Sequence, residues 1–216
     1  MKNVRVWFRK TGSAKYISHL DLTRCMARAL KLSRLPVWYT EGFNPHIYMT
    51  FSMPLSLGVT GERECMDIRL TEDRDLAQAA QRLRECLPKD IAVLEITEPE
   101  DGFDAVAFAE YELRMEAEDP QRLAEQIQEL LGQERVTVLK HSKKGDKEFD
   151  IKPHFCLLSQ QVEQGALVFC LRATCSQEGS VNPSLLLEAL KTYLDVEPYV
   201  EITRKRLVKK DFSDIR

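Results

Sequence analysis

Patterns of strands and helices occur in the same order twice along this chain of 216 residues. In the first half, apolar and polar residues alternate over 3–9, which predicts a half-buried strand. Apolar residues recur at helical spacing in 18–34 and 75–87, which predicts two helices. The remaining patterns of this half are extended runs at 37–40, 48–53, 64–70 and 91–96.

The second half begins after residues 98–106, an acidic stretch containing Pro and Gly that we expect to be a linker. Helices are predicted to begin at 119–120 and 182–183, because proline suits the first helical turn. The strand patterns of this half lie at 110–116, 136–140, 148–158, 166–173 and 199–210. Each half thus has the βαββαβ order of ferredoxin-like domains. We predict an α+β fold of tandem ferredoxin-like domains with antiparallel sheets, spanning residues 1–98 and 107–212.

Charge is distributed unevenly along the chain, although the formal net charge is only −3. Residues 1–57 hold 9 Lys or Arg against 2 Asp or Glu, whereas residues 61–135 hold 9 against 21. A positive segment within an acidic protein favours a polyanionic or acidic partner for that surface. The alternative is that segments of opposite charge pack together and neutralise one another.

The cysteines give no indication of a metal or cluster site. No pair is spaced as Cys-x-x-Cys, so we expect free thiols in a reducing compartment, with no metal and no cofactor. No run of residues is long and apolar enough to predict a membrane span. The alternating start of the chain predicts a strand rather than a signal peptide. We therefore expect a cytoplasmic protein that does not associate with a membrane.

Basic residues are concentrated on one side of the first predicted helix. Arg24, Arg28, Lys31 and Arg34 follow one another at spacings of four, three and three, opposite the apolar side. A stripe of this kind is either a solvated helix face or a surface that neutralises phosphates. The further predicted nucleic-acid contacts are Arg5, Arg9, Lys10, Lys15 and, in a lysine-rich turn, Lys143, Lys144 and Lys147. Aromatic residues of the first half that could stack on bases are Trp7, Tyr16, Trp38, Tyr39 and Tyr48.

Two histidines are candidates for acid–base chemistry. His19 begins the first helix beside Ser18 and Asp21, which form a plausible capping box. Residues two apart on a helix do not face each other, so His19 and Asp21 cannot form a triad with Ser18. His46 could act with His19 in proton transfer, with Lys15 or Tyr16 stabilising charge. The alternative is a local structural role for both histidines.

The second histidine belongs to a turn whose residues are not all explained by the turn itself. Gly42, Asn44 and Pro45 are typical of a turn, whereas Glu41, Phe43 and His46 are not required by it. The turn therefore forms a candidate functional motif together with Ser18, His19 and Asp21.

Three longer motifs together resemble a known bacterial family. They are SHLDL at 18–22, LPVWYTEGFNPH at 35–46 and PLSLGV at 54–59. They resemble the radical-SAM-linked proteins, a domain of unknown function. This resemblance covers nearly the whole chain and implies association with a radical SAM enzyme that also carries a cobalamin-binding domain. The tandem fold with a histidine at its first helix is also similar, at the level of fold alone, to RAMP-type CRISPR RNA endoribonucleases.

These observations lead to one expected function and two alternatives. We expect an accessory RNA-binding or substrate-presenting module, without catalytic activity of its own, that works with a radical SAM enzyme in RNA modification or processing. The expected ligand is a tRNA or an rRNA rather than DNA. The first alternative is a metal-independent RAMP-like endoribonuclease that uses His19 and His46. The second is a protein–protein adaptor that does not bind RNA.

Overall fold

The computed structural model describes residues 1–140 and 145–216 and divides the chain into two units. Unit 1 comprises Met1–Val106 together with Lys209–Arg216, and unit 2 comprises Ala107–Val208. Among the described residues, no helix has the length and apolar character needed to cross a membrane.

Unit 1 has an antiparallel sheet and two main helices. Their bounds are β1 (Lys2–Lys10), α1 (His19–Leu32), β2 (Met49–Phe51), β3 (Thr60–Leu70), α2 (Leu76–Glu85) and β4 (Ile91–Thr97). The pairings give the strand order β2-β3-β1-β4. The order of these elements agrees with the βαββαβ pattern predicted for the first half, except that the extended run predicted at 37–40 forms only two isolated bridges, Val37 with Leu70 and Tyr39 with Ile47.

Helix α1 begins and ends at residues whose chemistry explains its bounds. The hydroxyl of Ser18 accepts a hydrogen bond from the backbone N–H of Asp21 at 3.1 Å and donates to its carboxylate at 2.7 Å. The helix ends at Leu32 with Ser33 as its C-cap, after which Arg34 adopts a left-handed conformation with φ of 54° and Pro36 prevents continuation. The capping interaction predicted between Ser18 and Asp21 is therefore present.

The core of unit 1 lies between the two helices and one face of the sheet. Helix α2 is capped by Asp75, whose carboxylate accepts from the backbone N–H groups of Ala77 and Gln78. Because side chains alternate along a strand, β1 directs Val4, Val6 and Phe8 toward the helices. The buried residues of the two helices are Leu22, Met26, Ala29, Leu30, Ala79, Ala80 and Leu83.

The opposite face of β1 is also covered. The segment predicted as a linker contains a short 3₁₀ helix, Phe103–Ala105, and Phe103 is buried. The backbone N–H groups of Glu100 and Asp101 donate to the backbone oxygen of Arg216, at 3.0 and 2.9 Å. The segments 98–106 and 209–216 are therefore joined within unit 1, where they pack against Arg5.

Unit 2 has a second antiparallel sheet and two helices. Their bounds are β5 (Phe108–Glu116), α3 (Pro120–Gly132), β6 (Thr137–Lys140), β7 (Lys147–Asp150), β8 (Phe155–Glu163), β9 (Ala166–Ser176), β10 (Gly179–Ser180), α4 (Ser184–Leu194) and β11 (Tyr199–Val208). The main strand order is β8-β9-β5-β11, while β10 pairs with the end of β9 and β6 pairs with β7. The α+β class with antiparallel sheets is confirmed in both units.

One predicted strand of unit 2 is divided in the structure. Residues 148–158 form parts of β7 and β8, which are separated by a 3₁₀ turn at Lys152–His154. Pro153 lies in this turn and has no backbone N–H to donate to a strand partner, which accounts for the interruption.

A charged triad crosses three strands of unit 2. The register places Glu110 opposite both Arg172 and Arg206, and its carboxylate accepts from each guanidinium at 2.7 Å. Burial of Glu110 opposes ionisation, but the hydrogen bonds from Arg206 and Arg172 outweigh it, so the pKa of this carboxyl lies below its usual value.

Candidate nucleic-acid interface

The side of α1 that faces away from the core carries a row of exposed cations. This α1 basic surface consists of Arg24, Arg28, Lys31 and Arg34, all exposed. Its only ion pair within the described residues joins Arg24 to Asp21, at 3.3 Å, and both side chains are exposed. The surface is therefore largely unneutralised by its own unit.

Other basic residues of the predicted interface are placed differently. Arg9 is exposed on β1, and the ammonium of Lys15 lies 5.2 Å from the ring of Tyr16. Lys147 is exposed in unit 2, whereas the predicted contacts Lys143 and Lys144 lie outside the described residues. The α1 basic surface is thus the part of the predicted interface whose members lie together.

Two predicted contacts are corrected by the structure. Arg5 is fully buried, and its guanidinium is held by Asp67 and by the backbone oxygens of Asp101 and Arg216. Lys10 is only 2% exposed. Alternation along β1 indicates two faces but not which face is covered, and here both faces are covered along much of the strand. Neither residue is therefore part of the candidate surface.

The predicted motif at 41–46 forms the tip of a small hairpin. An isolated bridge joins Tyr39 to Ile47, and the backbone N–H of Thr40 donates to the backbone oxygen of His46 at 2.8 Å. Gly42 has φ of 121°, a conformation that residues with a Cβ rarely adopt. The side chain of Phe43 is fully exposed at this tip. The hairpin therefore projects an aromatic ring into solvent.

His46 makes its contacts within the same hairpin. Its backbone N–H donates to the hydroxyl of Thr40 at 3.1 Å, and its Nδ1 lies 3.1 Å from both that hydroxyl and the backbone oxygen of Asn44. These contacts close the turn and give His46 a local structural role.

His19 lies in a different environment at the start of α1. Its ring packs edge-on against Phe51, with ring centroids 4.9 Å apart, and lines a pocket with Lys10 and Glu64. No hydrogen bond or ring contact connects His19 with His46 in the part of the chain that the structure describes. The proton transfer predicted for this pair has no direct contact to support it.

Cys65 lines the same pocket as His19, and its thiol is not activated. Burial raises the pKa of Cys65 to about 12, so the thiol is protonated at neutral pH. A protonated thiol is a poor nucleophile and a poor metal ligand. Across residues 1–140 and 145–216, no group of three or more His, Cys, Asp or Glu side chains is arranged to hold a metal ion.

The aromatic residues of unit 1 differ in availability for stacking. The rings of Trp38 and Tyr48 lie 5.6 Å apart, and the guanidinium of Arg69 lies 4.9 and 4.7 Å from them. These faces are therefore partly occupied, whereas Tyr39 and Phe43 are exposed. Tyr39 and Phe43 are on the hairpin that follows the α1 basic surface in sequence, and Tyr16, which precedes α1, is exposed as well. Trp7 is buried, so it is not available for the predicted stacking.

Three arginines meet beside the end of α1, and the sequence predicted only one of them as a contact. Arg34, Arg74 and Arg82 line a cleft together with Asp75 and Gln78. Arg74 and Arg82 lie in the acidic segment 61–135, so the local charge balance gave no indication that they belong to a basic site. The sequence could have indicated them in one way. Arg74 lies at the start of α2 and Arg82 lies on its polar side, and the predicted fold brings this part of α2 near the end of α1.

Comparison with solved structures supports the fold alone. A chain in the crystal structure of a Cbf5-Nop10-Gar1 complex is similar with a TM-score of 0.50 and 13% identity. The similarity covers 95% of this chain and 50% of that one, so the chain spans half the length of the protein it matches. An unknown protein from Galdieria sulphuraria matches with a TM-score of 0.26 and 15% identity, over 94% of this chain and 98% of the other.

Comparison at the level of sequence identifies the family. No curated protein matches the chain. The profile of a family described as "Uncharacterized protein conserved in bacteria (DUF2344)" matches residues 3–183, which is most of the chain. The protein therefore belongs to this bacterial family, DUF2344.

Proposed function

We propose that the protein binds RNA through the α1 basic surface and presents it to a partner enzyme. The observation that carries this proposal is the row of four exposed cations with a single exposed acidic partner. From Arg24 to Lys31 the row extends about 10 Å along the helix, and Arg34 follows just beyond its end, which is enough to contact more than one phosphate of a strand. A polyanion is therefore the ligand that fits this surface best.

The exposed aromatic residues favour RNA over an acidic peptide. Proteins that bind single-stranded nucleic acid combine a basic track with rings on which bases stack. Unit 1 offers Tyr39 and Phe43 on the hairpin that continues from the end of α1. An acidic peptide would use the cations but would gain less from these exposed rings.

The proposal is tested by measuring RNA binding as a function of salt. A triple variant in which Arg24, Arg28 and Lys31 are each changed to Gln should bind a tRNA at least tenfold more weakly. The plot of the logarithm of the binding constant against the logarithm of the salt concentration should become less steep by about 2. Each lost phosphate contact removes roughly 0.7 from this slope for single strands. Fluorescence anisotropy between 50 and 300 mM salt measures both quantities.

A matched variant controls for the loss of three charges. Lys89, Arg122 and Arg135 are exposed basic residues outside the α1 basic surface. Replacing these three with Gln should leave the affinity for tRNA within about twofold. Equal weakening by both variants, or the absence of binding by the unaltered protein at 50 mM salt, would contradict the proposal. An acidic peptide that competes with tRNA at equal concentration would instead favour a protein partner.

The proposed partner is a radical SAM enzyme in the bacterial cytoplasm. This part of the proposal is supported by the sequence motifs at 18–22, 35–46 and 54–59, which resemble those of radical-SAM-linked proteins. Purifying the tagged chain from a bacterium that encodes it, with and without ribonuclease, tests the association. We expect an iron–sulfur enzyme to co-purify under both conditions. Its absence under both would remove the partner from the proposal.

We propose that the protein itself does not cleave the RNA it binds. The separate environments of His19 and His46 support this part of the proposal. Incubating tRNA with the protein in the presence of a chelator should leave the RNA intact. Cleavage that survives the chelator and disappears in His19→Ala would contradict this and favour the endoribonuclease alternative.

A further inference from the structure

We propose that the cleft formed by Arg34, Arg74 and Arg82, here called the arginine cleft, binds a phosphate group. This inference deepens the proposed function and rests on it, because the phosphate would belong to an RNA strand that follows the α1 basic surface. The cleft supplies a defined position for one phosphate at the end of that surface. A phosphate bound there would fix the register of the RNA strand on the protein and would also contribute to its affinity.

Two of the three arginines of the cleft have no partner within the described part of the protein, and the partner of the third is exposed. Among the described residues, the side chains of Arg34 and Arg82 make no ion pair or hydrogen bond. The guanidinium of Arg74 pairs with Glu72 at 2.7 Å, and both groups are exposed. The carboxylate of Asp75 is engaged in capping α2. Two guanidinium groups without a described partner, and a third paired with the exposed Glu72, therefore line a cleft whose carboxylate, that of Asp75, already has donors.

Arg82 contrasts with Arg84 on the same helix. The guanidinium of Arg84 donates to the backbone oxygens of Val93 and Leu94, at 2.9 and 3.1 Å, and thus has a structural role. Arg82 has no such partner and faces the cleft. Guanidinium groups match the geometry of phosphate oxygens with paired donors, so a phosphate would satisfy Arg82 where the protein does not.

The backbone at Arg34 also points to a role for its side chain. This residue follows the last turn of α1 with φ of 54°, a position where glycine or asparagine is usual because a Cβ is unfavourable there. The backbone of α1 would therefore end at lower cost with glycine. Folding of the helix does not explain an arginine at this position, whereas binding of an anion in the cleft does.

Hydrogen bonds hold the two sides of the arginine cleft together. The backbone oxygen of Pro36 accepts from the backbone N–H of Thr71 at 2.8 Å and from its hydroxyl at 3.1 Å. An isolated bridge between Val37 and Leu70 continues this contact. The segment carrying Arg34 is thus fixed beside the segment carrying Arg74, and the cleft exists before any ligand binds.

The experiment uses inorganic phosphate as the probe and the full chain labelled with ¹⁵N. In NMR spectra of the arginine Nε–Hε groups, phosphate added at constant ionic strength should shift the signals of Arg34, Arg74 and Arg82 together and saturably. Chloride added in the same way should not. Shifts that rise linearly without saturation, or that are equal in chloride, would overturn the proposal.

Two variants make the result independent of misfolding. Arg34→Gly removes the side chain and relieves the left-handed conformation, so we expect an unchanged or higher melting temperature with at least fivefold weaker phosphate binding. Lys89→Gln, at an exposed basic residue of the same unit that belongs neither to the α1 basic surface nor to the arginine cleft, should bind phosphate as the unaltered protein does. Unchanged phosphate affinity in Arg34→Gly would overturn the proposal.

The outcomes also separate this inference from the proposed function. Saturable phosphate binding by the cleft in a protein that fails to bind tRNA would support the cleft and contradict the RNA proposal. Normal binding of tRNA by Arg82→Gln and by Arg34→Gly would overturn the cleft while leaving the RNA proposal intact. Loss of tRNA affinity in both variants would support both the cleft and the RNA proposal. Arg84→Gln does not serve as a control, because Arg84 has a structural role.

Discussion

At the scale of single residues, Arg5 connects three parts of unit 1. Its guanidinium donates to both carboxylate oxygens of Asp67, at 2.7 and 2.9 Å, and to the backbone oxygens of Asp101 and Arg216. Burial opposes the charge of Arg5, but the hydrogen bonds of Asp67 outweigh it and raise the pKa. Arg5 therefore remains charged inside the unit, and its buried charge is stabilised only while these partners are present.

Removing the partner of this buried charge should destabilise the protein. Asp67→Asn keeps the shape of the side chain but leaves Arg5 without a counter-charge, so we expect a loss of about 3 kcal/mol in the free energy of unfolding. Asp104 is an exposed carboxylate of the same unit, and Asp104→Asn should change stability by less than about 0.5 kcal/mol. Urea denaturation of both variants measures the difference; equal stabilities would contradict a structural role for the pair.

The same residue shows what the sequence could not predict. Alternation correctly placed Arg5 and Trp7 on the side of β1 that faces away from Val4 and Val6. It could not reveal that this side is covered by segments near Asp101 and Arg216, about 100 and 200 residues away in sequence. On the basis of the sequence, Arg5 was therefore predicted to be an exposed nucleic-acid contact on the polar face of β1. Arg74 and Arg82 were missed for a related reason, since only the tertiary fold brings them to Arg34.

At the scale of elements, the start of α1 depends on a single hydroxyl. Ser18 satisfies the backbone N–H of Asp21 and also donates to its carboxylate. That hydrogen bond from Ser18, assisted by Arg24, lowers the pKa of Asp21. The cap fixes the first turn, which in turn positions His19 against Phe51.

Removing this hydroxyl should loosen the first turn of α1. Ser18→Ala should lower the free energy of unfolding by about 1 kcal/mol, the usual cost of losing an N-cap, while Ser18→Thr should retain most of it. Amide hydrogen exchange should increase at residues 19–23 in the alanine variant only. Equal exchange in both variants would show that packing, rather than the cap, fixes the start of the helix.

Elements with strong periodicity were predicted closely. The helix predicted at 18–34 is observed as His19–Leu32, and that at 75–87 as Leu76–Glu85, because their apolar residues pack on one sheet face. Weaker patterns were less informative. The extended run at 64–70 is part of a longer strand, Thr60–Leu70, whose first residues carry little apolar signal, and a turn containing Pro153 interrupts the run at 148–158.

At the scale of the whole molecule, the charge asymmetry of the sequence is much reduced in the folded units, since unit 2 holds 13 Lys or Arg against 17 Asp or Glu. Unit 1 holds 18 Lys or Arg against 17 Asp or Glu, because the basic first segment folds with acidic residues that follow it. The excess of basic side chains is therefore local to the outer side of α1 and to the arginine cleft. The RNA binding proposed above should therefore depend on where the basic residues lie rather than on the net charge of the protein.

Stability of the molecule should fall in acid because carboxylates in both units have lowered pKa values. The backbone N–H of Arg216, followed by Lys209, lowers the pKa of Asp101 in unit 1, and in unit 2 the two arginines lower that of Glu110 against the effect of its burial. A carboxyl with a folded pKa below its unfolded value contributes stability that is complete above the unfolded value, about 4, and is lost as pH falls through the folded value. We therefore expect full stability near pH 7 and a decline below about pH 4.

The contribution of Glu110 to this decline can be isolated. Glu110→Gln removes the charge between Arg172 and Arg206, and we expect it to lower the free energy of unfolding by about 2 kcal/mol at pH 7. The difference from the unaltered protein should shrink toward pH 3, because protonation then removes the same charge from the native carboxyl. Glu148 is exposed on β7, and Glu148→Gln should follow the unaltered protein at every pH. Urea denaturation between pH 7 and pH 3 measures all three proteins. A deficit in Glu110→Gln that stays constant over this range would mean that the triad acts through packing rather than charge.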